Sequence, residues 1–169
     1  MNNIYKSLQS SLVPLAAAAM LMHMTAVRAA DDRVALSGLS EAKVAFDIKD
    51  GEGKALLARL DIIDETRLSL IQQGVAPHFI LSFRGPATRL VQTDQDKIKP
   101  EDRELAAKVA AKIKELSTAK GVDGFEQCSI AARQQGTDPA KVLPQIRVVG
   151  NGFISLMAYQ AKGYAYISP

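Results

Sequence analysis

Residues 77–84 read Pro77-His78-Phe79-Ile80-Leu81-Ser82-Phe83-Arg84, a near-continuous apolar run broken by Gly85-Pro86. A strand with one wet face alternates apolar and polar residues, whereas a parallel strand covered on both faces does not need to. This run therefore predicts a buried strand of a parallel sheet, and its neighbours follow the same plan. Upstream, Leu56, Leu57, Leu60, Ile63, Leu68 and Ile71 recur at mostly helical spacing, so a helix is expected over about 54–73, stopped by Gly74. Before it, Lys43 to Lys49 alternates as a strand does, and Asp50-Gly51-Glu52-Gly53 turns the chain.

Downstream, residues 87–91 suggest a short helical piece leading into a polar linker. Pro100 then sits at a helix start with Glu101 and Asp102 in its first turn, followed by Leu105, Val109, Ile113 and Leu116 at helical spacing and closed by Lys120-Gly121. Thr137-Asp138-Pro139 caps a further small helix. Ile146 to Val149 is a fourth strand, Asn151 caps a helix over 152–162, and Tyr164 to Ser168 is a last strand. Strands alternating with helices predict an α/β fold in three layers, a mostly parallel sheet of about five strands with helices on both faces. No internal repeat or second domain is visible.

The amino terminus reads as an export signal. Lys6 supplies positive charge, residues 12–24 are almost wholly apolar, and Ala26-Val27-Arg28-Ala29-Ala30 offers small residues for cleavage. The apolar run is shorter than the ~18–20 residues of a spanning helix and holds Pro14, which argues against a stable membrane anchor. The expected organisation is a signal peptide over 1–29, a flexible lead-in over 30–42 and one domain over 43–169, in the periplasm. The roughly 140 residues after the signal suffice for one core. Of the 21 basic residues, two precede the cut, leaving 19 against 18 acidic ones. Nearly balanced charge without a basic stretch interleaved with aromatics argues against a nucleic-acid partner.

Cys128 is the only cysteine, so no internal disulfide can form. It falls where Val122 to Gln127 should end as a strand and Ser129 to Gln135 begin as a helix stopped by Gly136. At a helix N-terminus, unpaired amides and the positive end of the helix dipole favour a thiolate. The alternative is a packed structural cysteine, a common fate of free thiols.

Ligands of parallel sheets gather outside the carboxyl ends of the strands. That edge should carry Asp47, Lys49 and Asp50-Gly51, then Arg84-Gly85-Pro86, then Cys128 and Ser129, then Gly150-Asn151-Gly152. We assign Cys128 the catalytic place, and Arg84, Gly85, Ser129 and Asn151 the substrate-binding positions, with Arg84 as the expected cation beside a thiolate. A Cys–His pair is disfavoured, because His78 begins its strand while Cys128 ends its own, roughly 15 Å apart across five residues. One His and one Cys leave zinc ligand sets unfilled, so neither metal nor cofactor is expected. Asp50-Gly51-Glu52-Gly53-Lys54 lacks phosphate-loop spacing and reads as a plain turn between strand and helix.

In order and spacing, several stretches match one family. They are Phe79 to Ala87, Gly124 to Ala132, Leu143 to Val149, Gly152 to Leu156 and the closing Gln160 to Pro169. The chain resembles the DsrE/DsrF-like sulfur-relay proteins over essentially the whole mature region. The resemblance implies a three-layer α/β fold, a homo-oligomer (trimer or hexamer) and a persulfide carried on the family's cysteine position, here Cys128. It also implies a thiol-bearing sulfur donor or acceptor protein, or a small sulfur species, as partner. Two other functions compete: a non-catalytic oligomeric binding module with Cys128 packed, and a redox sensor acting through a sulfenic acid or intermolecular disulfide.

Overall fold

The computed structural model describes residues 31–169. The export segment expected over 1–29 lies outside the described residues. Five strands and four helices alternate: β1 Glu41–Ile48, α1 Gly53–Gln72, β2 Ala76–Phe83, α2 Arg103–Leu116, β3 Val122–Cys128, α3 Ser129–Gln134, β4 Ile146–Val149, α4 Gly152–Ala161 and β5 Ala165–Ile167. Short 3-10 turns fill Gly85–Arg89, Gln95–Lys97, Pro100–Asp102 and Pro139–Lys141. Glu41 and Ala42, expected in the lead-in, already pair with Ala76 and Pro77, so β1 begins two residues earlier than its alternation suggested. Ahead of it, Leu36 N–H donates to the Asp32 carbonyl in a turn, and Asp32 N–H donates to Gln73 at the end of α1.

All strand pairs are parallel, in the order β4-β3-β2-β1-β5. Right-handed crossovers then dictate the layers. From β1 to β2 to β3 the chain steps one way across the sheet and lays α1 and α2 on one face. From β4 it returns across the whole sheet to β5, beyond β1, so α4 belongs on the other face.

The core divides accordingly. Leu56, Leu60 and Ile63 of α1 and Ala106, Val109, Ile113 and Leu116 of α2 pack on Phe46, Ile48, Phe79, Leu81, Phe83 and Phe125. Phe46 and Phe79 meet edge to face at 5.1 Å, a favoured aromatic geometry. Under α4 only Leu156 joins Ala45 and Ile80, with Tyr159 and Tyr164 at the margin. The first face is a full apolar core, and the second is thin and partly polar.

The ends of α1 and α4 follow the sequence signals, whereas α2 runs only from Arg103 to Leu116, inside the span expected from Pro100 to Lys120-Gly121. At Gly74 and Gly163 the chain enters the left-handed region, φ +81° and +86°, where glycine has no Cβ penalty. The next residues, Val75 and Tyr164, return their amides to Leu70 and Tyr159, which closes each helix. At the other end of α4, the Asn151 side chain accepts the Phe153 amide at 2.9 Å, the expected cap.

The structure also accounts for the glycines of the first strand-to-helix turn. A Cβ at Gly51 would lie 2.4 Å from Pro86 Cβ, and one at Gly53 would lie 2.6 Å from Leu105 Cβ. The space beside both is filled by the protein itself, as a plain packed turn requires.

Candidate functional site

Strand registers place four residues in one row across the sheet. Asp47 stands beside Ser82, Ser82 beside Glu126, and Glu126 beside Arg147. Ala45 and Ile80, two residues back along β1 and β2, pack under Leu156, so this row and Cys128 share the α4 face. Cys128 ends β3 two residues after Glu126 and is 5% exposed.

The thiol sulfur accepts two backbone hydrogen bonds. Ala131 N–H, in the first turn of α3, lies at 3.5 Å, and Gly152 N–H, the first residue of α4, lies at 3.2 Å. Sequence position anticipates the first donor. The second comes from the return crossover, which starts α4 at the carboxyl end of β4, next to the end of β3. Two helix starts therefore aim amides at one sulfur.

Gly152 makes that approach possible. A Cβ at this position would sit 2.5 Å from Arg84 Cδ and 3.0 Å from Cys128 Cβ. Arg84 lines the other side. It is bound bidentately to Asp47, through Nε at 2.7 Å and through Nη2, and its guanidinium carbon lies 4.2 Å from the centre of the Phe153 ring. Tyr166 donates its hydroxyl to the same carboxylate at 2.7 Å, and Lys49 lies 3.6 Å from it.

Burial opposes the ionisation of Asp47, but Arg84, Tyr166 and Lys49 outweigh it and hold the carboxyl below its ordinary pKa. The Asp47 carboxylate in turn raises Arg84 above its ordinary value against the opposing effect of burial, with smaller contributions from Tyr166 and then Cys128. Arg84 is thus beside the site as expected, but its charge is paired with Asp47.

The remaining expected residues take structural positions. Gly85 opens the 3-10 turn after β2, and its carbonyl accepts Thr88 Oγ1 at 2.8 Å. Ser129 follows the thiol in α3 and accepts Arg133 at 2.5 Å, and Asn151 caps α4. His78 pairs with Asp123 at 3.2 Å at the amino end of the sheet, away from Cys128. Among the described residues no group of three or more His, Cys, Asp or Glu side chains could hold a metal ion, and no helix is long and apolar enough to cross a membrane.

Sequence reasoning missed the buried carboxylate Glu126. It is 2% exposed and accepts from Tyr159 at 2.9 Å, from Arg147 and from Ser155. Its signal was present: a residue two before Cys128 in a strand must share the thiol's face. Beside Arg84, a cleft of about 330 Å³ runs between α4 and β5, walled by Phe153, Leu156, Met157, Gln160 and Tyr166. A larger cavity of about 510 Å³ lies along α1 near Leu36 and Ile62 and contains none of the site residues.

No protein-family model matches the chain. It is 27% identical over 128 residues to an uncharacterized protein of Aquifex aeolicus (strain VF5), covering 76% of this chain and 56% of that protein. The chain thus spans little more than half the length of that relative. Among solved structures it is similar to MTH1491, a protein of unknown function from Methanobacterium thermoautotrophicum. The TM-score is 0.57 at 20% identity, over 76% of this chain and 99% of that one. That likeness and the five parallel strands establish a three-layer α/β fold.

Proposed function

We propose that the protein handles sulfane sulfur in the manner of the DsrE-like relay proteins, with Cys128 as the carrier. One observation carries the reading: two backbone amides from the starts of two helices converge on Cys128 Sγ. The thiolate attacks the outer sulfur of a donor persulfide, and the donor's own thiolate leaves. Cys128 then holds a persulfide until an acceptor thiolate takes the outer sulfur and restores the Cys128 thiolate. No external oxidant is needed, because the sulfane sulfur moves at constant oxidation level.

The donor or acceptor is a thiol-bearing protein or a small sulfur species. Export to the periplasm rests on the apolar run of residues 12–24. A homo-oligomer, trimeric or hexameric as in the family it resembles, is supported by the apolar side chains that α4 leaves outside. Phe153, Ile154 and Met157 are each more than half exposed.

The low exposure of Cys128 favours a second reading, an oligomeric binding module with an inert thiol. Polysulfide treatment followed by intact mass measurement separates the two. The relay reading expects a gain of sulfur on the native protein that reductant removes and that Cys128→Ser lacks. Should the native protein stay unmodified while the unfolded chain reacts, the binding module is the better account. A reducible dimer on gels would instead favour redox sensing.

A further inference from the structure

Glu126 lies almost completely enclosed in β3, yet carries a carboxylate. Burial of such a group is costly unless its oxygens are satisfied. Here both are: one accepts Tyr159 at 2.9 Å and Arg147, the other accepts Ser155. Arg147 is its register partner on β4. Ser155 and Tyr159 stand four residues apart on α4 and so share one side of that helix. A single carboxylate therefore joins β3, β4 and α4.

Polar ties matter more than usual for this helix. Apart from Gly152, Leu156 is the only residue of α4 that is buried. Its apolar anchorage is slight, so the roll of the helix and its advance along the sheet depend on where Ser155 and Tyr159 are held. Three residues before Ser155 stands Gly152, whose amide reaches Cys128 Sγ at 3.2 Å.

We propose that Glu126 is a positioning residue for Cys128: by gripping Ser155 and Tyr159 it sets α4 so that its first amide meets the thiol sulfur. The functional meaning rests on the sulfur-carrier reading, although the mechanical linkage does not. Burial and the neighbouring Glu126 carboxylate both raise the Tyr159 pKa, so its hydroxyl remains a donor. Glu126 likewise raises Arg147 above its ordinary value.

The sulfur offers an internal control, because its two donors belong to different helices. Ala131 N–H comes from α3, which the Glu126 grip does not hold. The test uses the folded, full-length ¹⁵N-labelled protein and its Ser155→Ala, Tyr159→Phe and Glu126→Gln variants, read by amide hydrogen exchange and amide chemical shift at Gly152 and Ala131. The expected result is faster exchange and a shifted resonance at Gly152, with Ala131 unchanged, and recovery in Ser155→Thr. Loading of Cys128 by polysulfide should slow about tenfold in the same variants, as expected for losing one hydrogen bond to a charged sulfur.

Loss of protection at both amides alike means general loosening and overturns the proposal. So does an unchanged Gly152 in Ser155→Ala and Tyr159→Phe, the two variants that keep the buried charge. If wild-type protein takes up no sulfur, the carrier reading fails while the Gly152 response still decides the linkage.

Discussion

Arg84 gives two nitrogens to Asp47, whose side chain is completely buried, and thereby commits its charge to a carboxylate rather than to the neighbouring thiol. The pair closes the carboxyl edge of β1 and β2 at the point where α4 begins. Removing Arg84 would leave the buried Asp47 carboxylate with only the Tyr166 hydroxyl and the more distant Lys49. Arg84→Ala should therefore lower stability by about 3–5 kcal/mol. Replacing both partners, as in Asp47→Asn with Arg84→Met, should cost less than Arg84→Ala alone. Urea denaturation of the single and double variants measures the coupling, and purely additive losses would contradict a mutually dependent pair.

Acid should weaken the fold through two carboxylates. Burial opposes the ionisation of both Asp47 and Asp64 and is the largest single influence on each. It is outweighed by Arg84 and Tyr166 at Asp47, and by Lys112 and Arg67 at Asp64, so both carboxyls lie below their ordinary pKa. The unfolded chain then binds protons at higher pH than the folded one. The stability these groups contribute is complete above the unfolded aspartate pKa of about 4, and is lost as pH falls through the lower folded values. The urea midpoint should be level down to about pH 5 and fall below about pH 4. Asp64→Asn should start lower and decline less steeply, and an undiminished wild-type midpoint in acid would sink this account.

Gly152→Ala tests the close approach of α4. Helix propensity alone favours alanine by roughly 0.5–1 kcal/mol. The added methyl, however, meets Arg84 Cδ at 2.5 Å and Cys128 Cβ at 3.0 Å. Overpacking of about 1–3 kcal/mol should prevail and give a net loss of stability. The shift of α4 should also withdraw the amide from Cys128, read as a change in the rate of native-state alkylation. A variant as stable as wild type, with unchanged alkylation, would show that the site yields freely.

Asn151→Ala should cost about 1 kcal/mol, because its side chain satisfies the Phe153 amide at the start of α4. Asn151→Asp should keep the cap and add a charge that suits the helix dipole. Should Asn151→Asp load sulfur far more slowly than wild type while matching its stability, Asn151 would touch the sulfur donor as well as capping the helix.

Much of this was legible because local signals agreed with the final packing. Phe79 to Phe83 declared a doubly covered strand and Asn151 a cap, while Pro100 marked the 3-10 turn that leads into α2 at Arg103. Cys128 announced a junction of strand and helix. The polar row under α4 was not legible in the same way. Asp47 and Glu126 look like the polar positions of half-wet strands, and nothing local says that Tyr166, 119 residues after Asp47, or Tyr159, 33 residues after Glu126, will come to cover them. Those partners exist only because the last crossover returns over the sheet. The Asp47 partner of Arg84 was hidden for the same reason: it lies 37 residues away on β1 and was read as one more residue of the edge.

The strand order has a consequence for how the molecule is assembled in time. A chain that emerges N-terminus first presents β1, β2 and β3 with α1 and α2 well before α4 and β5 follow. The large apolar core closes on that portion together with Leu143 and with Ile146 at the start of β4, and draws nothing from α4 or β5. Long-range pairings form late because their loop-closure entropy must be met first. Asp47 then waits for Tyr166, and Cys128 for the Gly152 amide, until nearly the whole domain has appeared. The thiol environment is thus a late product of folding, finished only when the final crossover settles onto a scaffold already in place.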